Sequence, residues 1–178
     1  MKQTVDNVFA ENNSVREELL SALREIGTEK AERRADDEGW TIAQTAMHVA
    51  TVETSVIRIC AKLLAKAEAD GIFSADGTMT ISDDLLEQVN GTNTKKLQAP
   101  ERVLPPADVL LADAVKAIKE NRDAFDTLLP KFREFDADAG SFPHPYFGDL
   151  TAGEWLALTG AHAVRHLKQI RRIESKLT

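Results

Sequence analysis

Residues 151–174 read TAGEWLALTGAHAVRHLKQIRRIE, which predicts a helix that turns one face toward a core. Thr151 and Glu154 have the spacing of a capping box, so the start of this helix is well specified. His162 and His166 are four residues apart, so both imidazoles project from the same side of the helix. The same inward face carries four further residues at steps of three and four: Trp155, Leu158, Gln169 and Ile173.

The two inward histidines allow two interpretations. Neutral imidazole is a common metal ligand, and this spacing lets two imidazole nitrogens converge on one ion, so the pair is half of a metal site. The pair alone is equally compatible with two hydrogen-bonded core histidines. The choice between these interpretations depends on what the rest of the chain places opposite His162 and His166.

Three more amphipathic helices precede this one. Hydrophobic spacing predicts them at about 2–26, 41–69 and 107–129. Thr41 and Gln44 have capping-box spacing at the start of the second helix, and Pro105–Pro106 and Pro130 are placed to begin and end the third. Asn12 interrupts the apolar stripe of the first helix, and either it is tolerated there or it faces a polar cleft.

The connections between these helices complete the predicted fold. Residues 28–39 are predicted to be a charged loop with a helical turn, and 70–106 a long crossover with a short helix near 82–89. Residues 131–150 are predicted to form an ordered loop over the end of the bundle. The pattern predicts an all-α protein, a four-helix bundle with a long crossover between helices two and three. We expect one domain over residues 1–178.

His48 lies among apolar residues about a turn and a half into the second helix. A single histidine in such a place is more often a core residue than a ligand. If its level meets that of His162 and His166, three imidazoles converge on one point. Three histidines with positions left open for water are typical of catalytic zinc sites, and nickel, iron or cobalt also accept imidazole.

Two known types of metal site do not fit. A di-iron bundle needs glutamate three residues before its histidines, and those positions hold Thr45, Thr159 and Ala163. The His-Glu-x-x-His motif of zinc proteases is absent, because Ala163 follows His162.

Composition limits the classes of partner and compartment. The 178 residues carry a net charge of −7, which argues against non-specific binding to nucleic acid. No apolar stretch is long enough to span a membrane, and the N-terminus has no signal pattern. The single cysteine, Cys60, cannot form an internal disulfide and is expected to be a buried small hydrophobe. We therefore expect a cytoplasmic protein without a nucleic-acid or membrane partner.

Five other polar residues are secondary candidates. Arg165 either pairs with a substrate carboxylate or forms a surface salt bridge, and Gln169 either orients a ligand or bonds across the bundle. His144 and Tyr146 lie in the loop before the last helix, where they supply an acid or base or simply pack. Glu53 is rotated by ~140° from the second-helix histidine, which favours an inter-helix salt bridge over a fourth metal ligand.

Two segments resemble the signatures of the DinB/YfiT-like superfamily. WTIAQTAMHVATVE at 40–53 is similar to its second-helix motif, and HPYFGDLTAGEWLALTGAHAVRHLKQI at 144–170 is similar to its last-helix motif. The resemblance implies a four-helix bundle and a divalent transition metal, most often zinc or nickel, held by His48, His162 and His166. It also implies a small-molecule substrate and a frequent homodimer.

The resemblance leaves three functions open. Characterised relatives include transferases and isomerases that use a low-molecular-weight thiol, so the first hypothesis is a thiol S-transferase that activates the thiol on the metal. The second is a hydrolase that uses metal-bound hydroxide, although no glutamate beside a ligand provides the base. The third is a non-enzymatic, metal-binding stress-response bundle.

Overall fold

The computed structural model describes residues 1–36, 38–91 and 98–177. Its helices are α1 (Val5–Ile26), α2 (Thr28–Glu32), α3 (Ile42–Asp70), α4 (Asp83–Gly91), α5 (Leu111–Glu134) and α6 (Ala152–Lys176), of which α2 and α4 are short. Helices α3 and α1 each pack against both α5 and α6, so α1 and α3 lie across the bundle from each other. The predicted all-α four-helix bundle is confirmed. Within the described residues, no helix is both long and apolar enough to cross a membrane.

The predicted long crossover connects α3 to α5 and contains α4, close to the expected short helix. Its residues 92–97 lie outside the part of the chain that the structure describes. A 3-10 turn at Glu101–Val103 follows that gap. This turn is important for the site, because it brings the crossover back against α3.

Two small antiparallel strand pairs were not predicted. Strand β1 (Lys2–Thr4) pairs with β2 (Thr78–Thr80), and β3 (Ser141–His144) pairs with β4 (Gly148–Thr151). The first pair joins segments far apart in the chain, which local patterning cannot reveal. The second is a hairpin whose Gly148 has φ 75, a conformation that favours glycine. The expected ordered loop before α6 is this hairpin.

The predicted start of the first helix needs correction. Residues Lys2–Thr4 are strand β1 rather than helix, and the Thr4 hydroxyl caps α1 by accepting a hydrogen bond from the amide of Asn7 at 3.2 Å. The charged loop predicted at 28–39 begins with α2, which agrees with the helical turn expected there.

The bounds predicted for the third helix were wrong at both ends. It was expected at 107–129 but spans Leu111–Glu134. The helix begins at Leu111 because the amide of this residue donates to the Glu32 carboxylate of α2 at 2.8 Å. That cap comes from a distant residue rather than from Pro105–Pro106. Pro130 is exposed and lies inside the helix. The chain continues as a helix past it because Phe132 is fully buried.

Both predicted capping boxes are present. The Thr41 hydroxyl accepts from the amide of Gln44 at 3.0 Å, and the Gln44 side chain accepts from the amide of Thr41 at 3.0 Å. Thr151 and Glu154 make the same reciprocal pair at the start of α6. These caps fix where α3 and α6 begin, and therefore the height at which each helix carries its histidines.

A polar layer separates two apolar clusters in the core. At its centre, Arg16 of α1 and Glu53 of α3 form a buried ion pair, with 2.9 Å between Arg16 Nη2 and Glu53 Oε1. Asn121 of α5 donates to the backbone carbonyl of Ala50 at 2.8 Å. The prediction that Glu53 pairs across the bundle is confirmed. Cys60 is fully buried, as expected, and burial raises the pKa of its thiol.

Asn12 does not face a cleft but joins α1 to α6. Its amide nitrogen donates to the carbonyl oxygen of Leu156 at 2.9 Å. Its side-chain oxygen lies against Gly160, where an added Cβ would be 2.1 Å from Asn12 Oδ1. The glycine is therefore needed for the close approach of these two helices.

We expect Gly160→Ala to lower the free energy of unfolding by roughly 1–3 kcal/mol, because the new methyl group displaces the Asn12 side chain. Urea unfolding measures this loss. The same substitution in an Asn12→Ala background is the control, since that background removes the obstructing atoms. Equal effects of Gly160→Ala in both backgrounds would contradict the steric explanation.

Candidate metal centre

The three predicted metal ligands converge at one point. His48 comes from α3, and His162 and His166 come from α6. One ligand atom from each lies within 4.8 Å of the others. Ring centroids are 5.2 Å apart for His48 and His162, 4.9 Å for His48 and His166, and 4.4 Å for His162 and His166. His48 and His166 are buried, whereas His162 is partly exposed.

Hydrogen bonds fix the orientation of two of the imidazoles. His48 Nδ1–H donates to the carbonyl oxygen of Val103 at 2.7 Å, and His166 Nδ1–H donates to Gln169 Oε1 at 2.8 Å. With these protons on Nδ1, the Nε2 atom of each neutral ring carries a lone pair. His162 Nε2 lies 3.1 Å from His166 Nε2, and because that His166 atom carries the lone pair, His162 Nε2–H donates this hydrogen bond.

The environment keeps all three imidazoles neutral at pH 7. Burial lowers the pKa of His48, and the hydrogen bond to the Val103 carbonyl offsets part of this decrease. Burial and the neighbouring His48 lower the pKa of His166 to about 3. Burial and His166 lower the pKa of His162 well below its usual value, and Arg165 adds to the effect. Neutral imidazole is the form that binds metals.

The donor set fits a divalent transition metal. Three neutral imidazole nitrogens suit zinc, nickel, cobalt or iron, and they do not favour magnesium or calcium, which prefer oxygen ligands. Within the described residues, no carboxylate joins this group. Three protein ligands and a partly exposed His162 are compatible with an open coordination position rather than a closed structural site.

The secondary candidates on α3 and α6 are placed as follows. Gln169 orients His166, one of its two predicted roles. Arg165 is partly exposed, and its charge lowers the pKa of both His162 and His166, so it lies beside the site. Its pairing with a substrate stays a prediction.

His144 and Tyr146 lie in the β3–β4 hairpin, which packs against α6 through His144 and Trp155. The His144 ring stacks on Phe147, with 4.6 Å between centroids and 11° between planes, and lies 5.0 Å from the Trp155 ring. Tyr146 is exposed, and its hydroxyl donates to the backbone carbonyl of Gln98 at 2.5 Å. Both residues therefore have packing or linking contacts, and a role as acid or base stays untested.

Two contacts of His48 were missed by the sequence analysis. The Val103 carbonyl gives no sequence signal, because every residue carries the same group. Trp40 lies with its ring centroid 5.0 Å from that of His48. Trp40 is the first residue of the motif at 40–53, but the motif alone does not predict that its ring contacts His48.

We expect Gln169→Leu to weaken zinc or nickel binding by about 10–100-fold, because it leaves His166 Nδ1–H without its acceptor. Gln169→Glu is the matched control, since it keeps an acceptor oxygen and should retain affinity. Calorimetric titration of the metal-free protein gives both dissociation constants. Equal affinities for the leucine and glutamate variants would contradict an orienting role.

This chain is similar to a curated relative and to a solved structure, both over nearly its whole length. The protein named "Uncharacterized protein YuaE" from Bacillus subtilis (strain 168) is 25% identical over 166 residues, which cover 93% of this chain and 96% of the relative. The crystal structure of TT2238, described as a four-helix bundle protein, matches with a TM-score of 0.63 and 22% identity, over 94% of this chain and 98% of that one. This structure supports the fold alone.

The family comparison covers most of the chain and includes all three converging histidines. The model of the DinB superfamily matches residues 12–170. The match confirms the resemblance seen in the two helix motifs, and the bundle and its structural neighbour agree with it. The chain belongs to the DinB superfamily.

Proposed function

We propose that this protein is a divalent-metal-dependent enzyme that transfers a group to or from a low-molecular-weight thiol. One observation carries the proposal: three neutral imidazoles from two helices place their ligand atoms within 4.8 Å of one another, beside a partly exposed edge. A purely structural zinc site would normally have four protein ligands. We therefore take the substrate to be a small molecule that reaches the ion on the side of the partly exposed His162.

His48, His162 and His166 hold the ion in this proposal. When bound, the metal supplies Lewis acidity, which lowers the pKa of a thiol and favours the nucleophilic thiolate. To offer a lone pair, His162 Nε2 gives up the proton that it shares with His166, and His162 takes the tautomer protonated at Nδ1. Val103 and Gln169 keep His48 and His166 in the tautomers that ligate.

Hydrolysis is the weaker alternative, because water needs a general base. Within the described part of the chain, no carboxylate joins the histidine group. His144 Nδ1 is already the acceptor of the Tyr146 amide hydrogen. A thiol needs less help from a base than water does, because its own pKa is lower.

The decisive experiment is the metal content of the purified protein, measured by elemental mass spectrometry. We expect about one equivalent of zinc or nickel, which is lost in the His162→Ala/His166→Ala variant. Lys168→Ala is the matched control, since Lys168 is exposed on the same helix. Thiol conjugation to an electrophile should then exceed that of the double variant. Absence of metal after incubation with both ions would refute the proposal.

A further inference from the structure

Trp40 is a partly buried aromatic residue that packs against one of the three converging histidines. Its ring centroid lies 5.0 Å from that of His48, with 45° between the two ring planes. Among the described ring contacts of Trp40, none involves the two histidines of α6. An effect of the indole on a bound ion would therefore pass through His48.

Trp40 occupies the sequence position of a hydrophobic staple at the start of α3. It directly precedes the N-cap Thr41, and an apolar residue there usually packs against the fourth residue of the helix. That residue is Thr45, a small polar residue whose hydroxyl donates to the Thr41 carbonyl oxygen at 2.9 Å. The indole instead contacts His48, three residues further along the helix. Helix capping alone therefore does not explain where the ring lies.

The loop that carries Trp40 is tied to both helices of the histidine centre. Two residues before it, Glu38 has a side chain that is only 7% exposed. This carboxylate accepts hydrogen bonds from Arg172 at 3.0 Å and from Lys176 at 2.9 Å, both on α6. On the other side of Trp40, the capping box of Thr41 begins α3. The indole is therefore held between an ion-pair clamp on α6 and the first turn of α3.

The hydrogen bond of His48 does not by itself fix the plane of its ring. The Val103 carbonyl accepts from Nδ1 and determines where that atom lies. The terminal torsion of a histidine side chain has a broad distribution, so packing against the ring determines its tilt. The lone pair of Nε2 lies in the ring plane and has to point at a bound ion. The contact with Trp40 supplies the constraint that the hydrogen bond leaves open.

We propose that Trp40 is a positioning residue for metal binding, whose indole holds the His48 ring in the plane that directs Nε2 toward the two histidines of α6. The clamp of Glu38 on α6 keeps the indole in place. Both residues thus raise the affinity for the metal without being ligands. This inference rests on the proposed function, because it takes the three histidines as the ligands.

Titration of the metal-free protein with zinc and with cobalt(II) tests the role of the indole without any turnover. Trp40→Ala should weaken zinc binding by about tenfold or more, as expected when a contact that orients a ligand is lost. It should also shift the cobalt(II) d–d absorption bands, because a tilted imidazole changes the ligand field. Trp40→Phe keeps an aromatic ring beside His48 and should restore most of the affinity and the wild-type spectrum. Trp155→Phe is the control, because Trp155 contacts His144 rather than one of the three ligands.

Glu38→Gln tests the clamp while Trp40 stays in place. It should weaken zinc binding by up to about fivefold, the range of a partly exposed ion pair, and should have no further effect in the Trp40→Ala background. Urea unfolding of the metal-free variants shows that each is folded before titration. If Trp40→Ala does not fold, Glu38→Gln carries the test, and wild-type affinity in that variant overturns the proposal.

The remaining outcomes separate this inference from the function on which it rests. Wild-type zinc affinity and an unchanged cobalt(II) spectrum in folded Trp40→Ala would overturn the positioning role alone. Equal losses in Trp40→Ala and Trp40→Phe would overturn it as well, since an aromatic ring would then not be what is needed. Absence of cobalt(II) and zinc binding by the wild type would overturn the proposed function together with it.

Discussion

Arg16→Ala is expected to lower the free energy of unfolding by about 3–5 kcal/mol. Both Arg16 Nε and Nη2 donate to Glu53 Oε1, at 3.2 and 2.9 Å, and Nη1 donates to Asn13 Oδ1 at 2.6 Å. Arg16 and Glu53 are almost fully buried. Removing the guanidinium leaves the Glu53 carboxylate in the core without its cation, and a single uncompensated charge is more costly than the intact pair.

The pKa of Glu53 makes the effect of Arg16→Ala depend on pH. Burial raises it above its usual value, and Arg16 acts against that rise. In Arg16→Ala the opposing charge is lost, so Glu53 becomes protonated at a higher pH, which limits the loss of stability at acid pH. The destabilisation should therefore be larger at pH 8 than at pH 5.

Urea unfolding of four proteins tests this expectation. Arg16→Met/Glu53→Leu replaces both charges with apolar groups and should recover most of the stability lost in Arg16→Ala. Arg133→Ala breaks an exposed pair with Asp6 and should cost only about 0–1 kcal/mol. A loss below about 1 kcal/mol for Arg16→Ala would show that water or a rearranged side chain compensates Glu53.

Local signals in the sequence were sufficient where the determining contacts are local. Thr41 with Gln44, and Thr151 with Glu154, fixed the starts of α3 and α6, and both boxes are formed. Since each histidine lies a set number of residues from its cap, the heights of the histidines follow from these starts. The helical period then placed His162 and His166 on one face. Convergence with His48 additionally required the correct packing of α3 against α6.

Sequence analysis failed where the determining contact comes from elsewhere in the chain. Leu111 begins α5 because Glu32 caps its amide, which no pattern near Leu111 reveals. Pro130 is a helix breaker by local rules, yet the burial of Phe132 outweighs it. The Val103 carbonyl reaches His48 only after the crossover has folded back. These contacts join residues that local periodicity treats separately.

Zinc or nickel is expected to raise the melting temperature strongly, because the three histidines proposed as ligands come from α3 and α6 and converge in the folded chain. At a free metal concentration about 1,000 times the dissociation constant, mass action adds about 4 kcal/mol to the free energy of unfolding. For a chain of 178 residues, that corresponds to a rise of roughly 8–16 °C. Thermal melts of metal-free protein, with added metal and then with excess chelator, measure the shift and its reversal.

Two variants test whether the three histidines cause the rise in melting temperature with metal. His162→Ala/His166→Ala should show no stabilisation by metal, whereas His144→Ala should keep it, because His144 is outside the three-histidine group. A shift that survives in the double variant would place the ion elsewhere and refute the assigned ligands. A full shift in the wild type, without turnover of any thiol, would favour the non-enzymatic bundle over the transferase. The same melts therefore separate a wrong metal site from a correct site with a different function.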